Sequence, residues 1–528
     1  MIHQHPFLRI SIAFVLGLLI GYVYPHGYTT AFCIGIGFML LAVQKIPAYR
    51  FHNHISSIGL LMMLIGMGIL TWITYPNPYQ TSLPAKGYYR AILLQDPIEK
   101  PKTYQCIAHV IGTDTAQYKM LLYIHKDSTS ATLTESDQLN IYLTRAQEQT
   151  FSYYTKQSIF SSAYIPQTHW NIAARAQPST IKYYASQTKN YLLNTLKLHT
   201  DSANYALTSA ITLGQKAKLS GTTKQYFSIS GASHILAVSG LHVGIIFAAI
   251  SLLLKPLTSI RWTKKLQQLL VIALLWIYAF LCGLPPSIVR AVSMFSVGAL
   301  GVLTLQKSQS LNNVCFTAFV MLLYNPNYLF DMGFQLSFSA VIGILLYVNS
   351  QGKESAETKL LDSAEANCGF MSKVNKLKSL RLHRFLTWVK EMCGVSIAAQ
   401  LATLPLILYY FGSFPTYFLL TNLTVVPLGT LLIYCCLALF IISPFTDVQW
   451  LDYPIDFLGT AMQYITQAIS HLPLSKISNL SIELPQVLML YAVLLGLFYF
   501  YKQPSGRRLN ILLLLVAGYL IASIFLGV

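Results

Sequence analysis

The sequence predicts a polytopic α-helical membrane protein with about eleven or twelve transmembrane helices, some of them broken, and a small extracytoplasmic β-barrel domain inserted after the third helix. Three observations carry this expectation. The chain is 54% hydrophobic and only 10% charged, where a soluble domain is roughly 25% charged, and so few charges cannot cover a water-facing surface. Apolar runs of the roughly 20 residues needed to cross a hydrocarbon core of about 30 Å recur along most of its length. Between residues 75 and 200 the composition changes to polar segments with short alternating runs.

Three apolar segments open the chain, near residues 8–24, 30–46 and 56–74. The first has no small-residue cleavage motif after it and is soon followed by another apolar run, so it is expected to be a membrane helix rather than a cleaved signal. A short basic connection, Lys45 to His54, separates the second from the third. The positive-inside rule places it in the cytoplasm, which makes the N-terminus cytoplasmic and residues 75–200 extracytoplasmic.

Within 75–200 the runs Tyr88–Leu94, Gln105–Ile111, Lys119–Ile124 and Asp137–Leu143 alternate apolar and polar residues between Pro, Gly and Asp/Ser turn signals, the pattern of half-buried strands. About five such strands suit a small barrel, OB-like among other choices. The segment carries five more Lys and Arg than Asp and Glu, with Tyr88, Tyr89, Tyr104 and Tyr118 on its strands. Bases and aromatics on such a barrel hold single-stranded nucleic acid by stacking and phosphate contacts; tyrosines that merely fill and edge the barrel are the competing explanation.

From residue 201 the chain returns to the membrane. An amphipathic approach (204–230) precedes apolar segments near 234–254, 267–283, 287–306, 311–324 and 334–349, and later ones near 395–411, 416–443, 487–501 and 510–527. Residues 453–472 are only moderately apolar, which leaves the crossing count ambiguous by one. The expected division is 1–74, N-terminal helices; 75–200, β domain; 201–502, a membrane domain with a basic, partly helical cytoplasmic loop at 351–394; and 503–528, a last helix. The formal net charge of +18 fits Lys and Arg gathered in cytoplasmic loops as well as an anionic partner. Five of the eight cysteines (Cys33, Cys282, Cys315, Cys435, Cys436) lie in apolar runs with no CxxC pair, so no metal or other cofactor is expected.

Polar side chains inside spans are costly and mark candidate functional positions. The first group is Ser233-His234 through Ser239-Gly240-Leu-His242-Val-Gly244: Ser239 and His242 share a helical face, and Gly240 and Gly244 permit close helix contact. In the second, Pro285 and Pro286 end one helix and start another, with Ser287 near the N-cap and Arg290 a turn inside, where orphan N–H groups and a cation attract phosphate or carboxylate; pairing of Arg290 with Asp331, or snorkelling, is the alternative. Third, Gln335 and Ser339 share a face, with Ser337 between them. The fourth runs from Gln400 through Pro405, Tyr409, Tyr410 and Phe411 to Asn422 and Pro427, where prolines imply broken helices facing protein or a wet path. Several broken helices with inward polar groups describe a conduit better than a scaffold.

At these stretches the sequence resembles the ComEC family of competence proteins, DNA-uptake channels of natural transformation. The residues that carry the resemblance are His234-Ile-Leu-Ala-Val-Ser-Gly-Leu-His242-Val-Gly244, Pro286-Ser287-Ile-Val-Arg290-Ala291, Gly333-Phe-Gln-Leu-Ser337, Gln400-Leu-Ala-Thr-Leu-Pro405 and Asn422-Leu-Thr-Val-Val-Pro427. Tyr153-Tyr154-Thr-Lys-Gln157-Ser-Ile159 belongs to the OB-like part. The resemblance implies a channel in the bacterial inner membrane that passes single-stranded DNA to the cytoplasm, with an outer DNA receptor, a cytoplasmic helicase or ATPase and strand-binding proteins as partners. Many relatives also carry a C-terminal metallo-β-lactamase-like domain; no HxHxDH zinc run occurs in this sequence, so a separate nuclease is expected to degrade the second strand. No P-loop is present, so work for translocation is expected from a partner or an ion gradient. Two other functions compete: a transporter of a lipid or other anionic solute, and a membrane-embedded hydrolase using Ser239, His234 and His242. The hydrolase lacks a GxSxG elbow, since Ala237 stands at the first glycine.

Overall fold

The computed structural model describes residues 6–43, 52–75, 82–94, 97–112, 116–134, 136–148, 159–175, 180–236, 238–256, 261–303, 310–365, 373–502 and 504–525. The basic connection at 45–51 and the Tyr153–Gln157 stretch lie outside them. The described chain forms two compact units, Met1–Asn190 with Cys315–Met332, and Tyr191–Val314 with Gly333–Val528.

The first unit begins with α1 (Pro6–Val23), α2 (Gly27–Val43) and α3 (His52–Thr74). Glycines let α1 and α3 touch backbone to backbone: a Cβ on Gly17 would lie 3.0 Å from Gly68 Cα, and one on Gly68 would collide with Phe14 O. Such small-residue contacts suit lipid, where dispersion and close packing replace the hydrophobic drive. α10 (Ser310–Tyr324) runs the same way as α1, with Ser11 Oγ donating to Cys315 O at 2.9 Å and Phe7 and Phe14 packed on Phe316 and Phe319.

A mixed sheet follows α3. Its strands are β1 (Gly87–Leu93), β2 (Ile98–Glu99), β3 (Thr103–Ile111), β4 (Gln117–His125), β5 (Gln138–Leu143), β6 (Gln147–Glu148), β7 (Ser161–Ile165) and β8 (Trp170–Ala174). The order is β6-β7-β4-β3-β1-β5-β8, with β2 on β3; β4 and β7 are parallel and the other pairs antiparallel. Alternation buries one face, including Ala91, Cys106, Ala108, Met120, Leu122 and Leu139, and leaves the other facing outward. Burial pushes the Cys106 thiol up to about 12, because a thiolate has no partner in an apolar core.

The second unit holds the C-terminal half of α4 (Thr180–Leu198), then α5 (Ser202–Leu213), α6 (Gly221–Ile229), α7 (Gly240–Leu253), α8 (Arg261–Leu281) and α9 (Pro286–Leu303). After α10 come α11 (Met332–Glu365), α12 (Lys373–Phe411), β9 (Ser413–Pro415), α13 (Phe418–Ile442), α14 (Asp452–Ser470), β10 (Lys476–Ser478), α15 (Leu484–Lys502) and α16 (Gly506–Phe525). One large apolar core joins α5 to α9 with α13 and α14, and a smaller one around Leu406, Ile482 and Val487 joins α11, α12 and α15. Among the described residues six helices are long and apolar enough to cross a membrane, at Pro6–Val23, Ser57–Thr74, Met332–Asn349, Phe385–Phe411, Phe418–Ile442 and Leu484–Tyr501. Five shorter helices are apolar as well.

Three features differ from the sequence reading. The segment expected to span from 234 is non-helical in its described residues before Gly240, where Ile235, Leu236 and Val238 are buried in the core as loop residues and α7 is capped only at Ser239. The 351–394 region is helical in its described parts, 351–365 and 373–394; Glu, Ala, Lys and Leu recur there without proline, and such residues propagate a helix. Pro405 and Pro427, expected at breaks, lie inside α12 and α13. A proline removes one backbone hydrogen bond, and helices packed along their length tolerate that loss; Thr403 and Thr424 hydroxyls meanwhile donate to nearby carbonyls of the same helices.

Candidate functional site

The loop between α6 and α7 and the start of α9 form one joint. Gly231, at φ +87°, lets the loop press on α13: a Cβ there would lie 3.0 Å from Phe418 Cβ and 3.1 Å from Pro415 Cγ. Thr421 Oγ1 donates to Ser230 O at 2.7 Å. α8 ends at Leu281 and α9 starts at Pro286, a proline that fits the first helical turn because its missing N–H would be an orphan there. Ser287 Oγ reaches across to donate to Val238 O at 2.9 Å. Gly240 and Gly244 face α9, their would-be Cβ atoms 3.8 Å from Ala291 Cβ and 3.2 Å from Phe295 Cζ. The first two sequence groups are therefore in direct contact. Arg290, one turn into α9, is only 5% exposed, so its guanidinium sits within protein.

The two histidines differ. His234 is exposed in the turn, while His242 is 2% exposed. Ser239 N donates to His242 Nδ1 at 2.9 Å, and Ser239 Oγ lies 3.2 Å from the same nitrogen. Nδ1 is thus an acceptor and the ring proton belongs on Nε2. Bound to its own helix start, His242 is a cap rather than a base poised for Ser239, which weighs against the hydrolase.

The third and fourth groups also meet. Tyr410 OH donates to Gln335 Oε1 at 2.9 Å, and Tyr409 packs edge-on against Tyr410, ring centroids 4.9 Å apart. Ser337 is half-buried on α11. Gln400 Nε2 on α12 and Asn422 Oδ1 on α13 are buried with no hydrogen-bond partner, an arrangement that costs free energy in a finished core and therefore asks for a function.

Sequence reasoning missed a further polar centre. Asn204 on α5, 3% exposed, donates from Nδ2 to Asp456 Oδ1 (3.1 Å), Asp456 O (3.2 Å) and Thr460 Oγ1 (3.0 Å), all on α14, and accepts from Gln463 Nε2 (2.9 Å). Asp456 also accepts from Asp201 N at 3.0 Å, and His199 Nδ1 lies 2.8 Å from Asp452 Oδ1. The partners are some 250 residues apart in the chain, so no local spacing announces them. Among the described residues no group of three or more His, Cys, Asp or Glu is placed to hold a metal ion.

On the sheet the four tyrosines separate. Tyr118 is in the core, Tyr89 and Tyr104 pack at its edge, and Tyr88 is 75% exposed with its ring 4.7 Å from that of Tyr142. An open cavity of about 330 Å³ is lined by Thr103, Tyr123, Arg145, Gln147 and Tyr164 among others. Tyr123 and Tyr164 stand side by side in the β4–β7 register, and Tyr164 OH lies 3.1 Å from His125 Nδ1. On the outward side of β4, burial lowers the Lys119 pKa; at the strand's end the hydrogen bond to Glu99 raises that of Lys126.

Long apolar helices, glycine contacts between them and polar groups directed inward define a multi-pass membrane protein. Comparison with known sequences makes this more specific. A sequence model of the Competence protein family matches residues 211–504, more than half of the chain, and the chain belongs to that family, as the ComEC resemblance anticipated. It is 26% identical over 267 residues to ComE operon protein 3 of Bacillus subtilis, covering 50% of this chain and 30% of that protein. It is 31% identical over 193 residues to an uncharacterized protein of Aquifex aeolicus, covering 36% of this chain and 42% of that one. The chain therefore matches less than half the length of either relative. No solved structure matches it.

Proposed function

We propose that this protein is a channel of the bacterial inner membrane that takes up DNA, passing a single strand into the cytoplasm during natural transformation. Membership of the Competence protein family is the observation that carries the proposal, since the match covers the joint of the α6–α7 loop with α9 and the Gln335–Tyr410 contact. On this reading the chain crosses the membrane eleven or twelve times, at about 20 residues a crossing. The N-terminus is cytoplasmic. Parallel α1 and α10 support that orientation, because Lys255, Arg261, Lys264 and Lys265 make the 255–266 connection basic and hence cytoplasmic, which orients the spans that follow it.

The outward sheet, OB-like in this proposal, guides the strand: bases stack on exposed rings such as Tyr88 and in the cavity of Tyr123 and Tyr164, while Arg145 meets phosphate. In the membrane, phosphates pass Arg290 and the α9 N-terminus at Ser287, where helix dipole and guanidinium favour an anion. His234, Ser239, His242, Gln335, Ser337, Gln400, Tyr409, Tyr410 and Asn422 lie along or beside that path. The strand comes from an outer DNA receptor and a separate nuclease, and a cytoplasmic helicase or ATPase with strand-binding proteins draws it in.

Replacing Arg290 by Ala tests the phosphate role. Uptake should fall roughly tenfold, the loss of about 1.4 kcal/mol of charge-assisted contact, with folded protein at its normal level in the membrane. Unchanged uptake would remove that role. A variant that imports labelled lipid or organic anions but no DNA would favour a solute transporter instead.

A further inference from the structure

Helix α5 is short, and Leu207 through Leu213 are all buried. A helix enclosed on every side lies inside its bundle rather than on the outside, and α5 shares the large core with α6 to α9, α13 and α14. Yet its enclosed surface is not wholly apolar. Asn204, Thr208 and Thr212 recur every four residues, at 3%, 0% and 6% exposure, and so form one stripe.

The two ends of that stripe are held differently. At the N-terminal end Asn204 uses both its amide groups on α14, and the contact is so close that a Cβ on Gly459 would stand 2.9 Å from Asn204 Oδ1. Towards the C-terminus the hydroxyls do not reach neighbouring helices: Thr212 Oγ1 donates to Thr208 O, Ser209 Oγ donates to Ala206 O, and the buried Thr208 Oγ1 has no partner. The outward polar contact there is Tyr278 OH donating to Thr212 O. α5 then ends at Gly214, φ +74°, where the chain turns away. A helix packed by apolar side chains but held through its polar stripe at one end only, with hydroxyls unused by its surroundings and a glycine turn beside it, has the parts of a movable element.

We propose that α5 is the gate of the membrane unit: seated on α14 by the Asn204 latch it fills the interior, and when the latch opens it moves about Gly214 and uncovers a hydroxyl-lined passage for the strand. This rests on the channel reading above. Asn204, Asp456, Thr460 and Gln463 are then positioning residues, and Gly459 is the surface that lets the gate seat. In this structure the latch is made and the gate is closed.

The double variant Asn204→Cys/Gly459→Cys tests the gate. A Cβ on residue 459 would lie 3.3 Å from that of residue 204, close to the roughly 3.5–4.5 Å of a disulfide. Mild oxidation replaces the polar latch with a covalent one that reductant reverses. The gate predicts that oxidised, cross-linked protein lowers uptake of fluorescent DNA to the level of cells lacking the protein and that reductant restores it, while wild type under the same oxidant is unaffected. Full cross-linking with undiminished uptake would overturn the gate. If wild-type cells themselves import no labelled DNA, the channel reading falls and takes the gate with it.

Should the double variant fail to accumulate, Thr460→Val with Gln463→Leu weakens the latch at nearly constant volume. The expected result is a several-fold rise in leakage of a small fluorescent anion through vesicles holding the purified protein. Leakage equal to wild type at equal folded protein would count against a gate.

Discussion

Two polar joints of the membrane unit are built on opposite principles. Where the α6–α7 loop and α7 meet α9 and α13, glycines admit neighbouring side chains, Gly231 those of Phe418 and Pro415, Gly240 and Gly244 those of Ala291 and Phe295, and the polar contacts are single: Ser287 to Val238 O, Thr421 to Ser230 O. Where α5 meets α14, one buried asparagine gathers Asp456, Thr460 and Gln463. The first joint is rigid because shape holds it, and removing one hydroxyl leaves the fit intact. The second depends on a network, in which losing the centre removes several contacts at once. The proposed channel would use both kinds, a frame that stays and a contact that opens.

Substitutions rank the two joints. Asn204→Ala should cost most, about 2–3 kcal/mol, since the buried asparagine loses its bonds to Asp456, Thr460 and Gln463 together; thermal unfolding of the purified protein in detergent measures it. Gly231→Ala comes next at about 1–2 kcal/mol, because a positive φ and the nearby Phe418 and Pro415 both oppose a side chain. Ser287→Ala should cost about 0.6–1 kcal/mol, the usual worth of one interhelical hydrogen bond. Tyr410→Phe, which removes the bond to Gln335 and keeps the ring, should cost less than about 1 kcal/mol. If Ser287→Ala proved costlier than Asn204→Ala, the contrast between a shape-held and a network-held joint would fail.

The sheet offers a further check on burial. Cys106, at 0% exposure and with its thiol near 12, should resist alkylation at pH 8 in native protein and react after denaturation. Reaction at the same rate in both states would mean that the sheet core is open.

The same comparison explains what the sequence made legible. Membrane class, the alternating strands and the groups at 234–244, 285–291, 335 and 400–422 stood out because each is local: a run, an alternation, or small and polar residues inside an apolar stretch. Ser239 and His242 pair by their spacing, but that they cap α7 depends on where the helix starts. Pro405 and Pro427 misled as helix breaks because proline's cost is local, while the packing that carries α12 and α13 through it is not. The Asn204 centre could not be read, since residue 204 and residues 456–463 meet only in the folded chain. One signal was present: Asp452, Asp456 and Gln463 in a moderately apolar segment, the one whose crossing was ambiguous.

The central claim, that this protein carries DNA across the cytoplasmic membrane, is tested most directly by feeding fluorescent double-stranded DNA to cells with and without it and recording where the label stops. The account predicts that label halts outside the cytoplasmic membrane in cells lacking the protein and reaches the cytoplasm when it is restored. Equal import by both would contradict it.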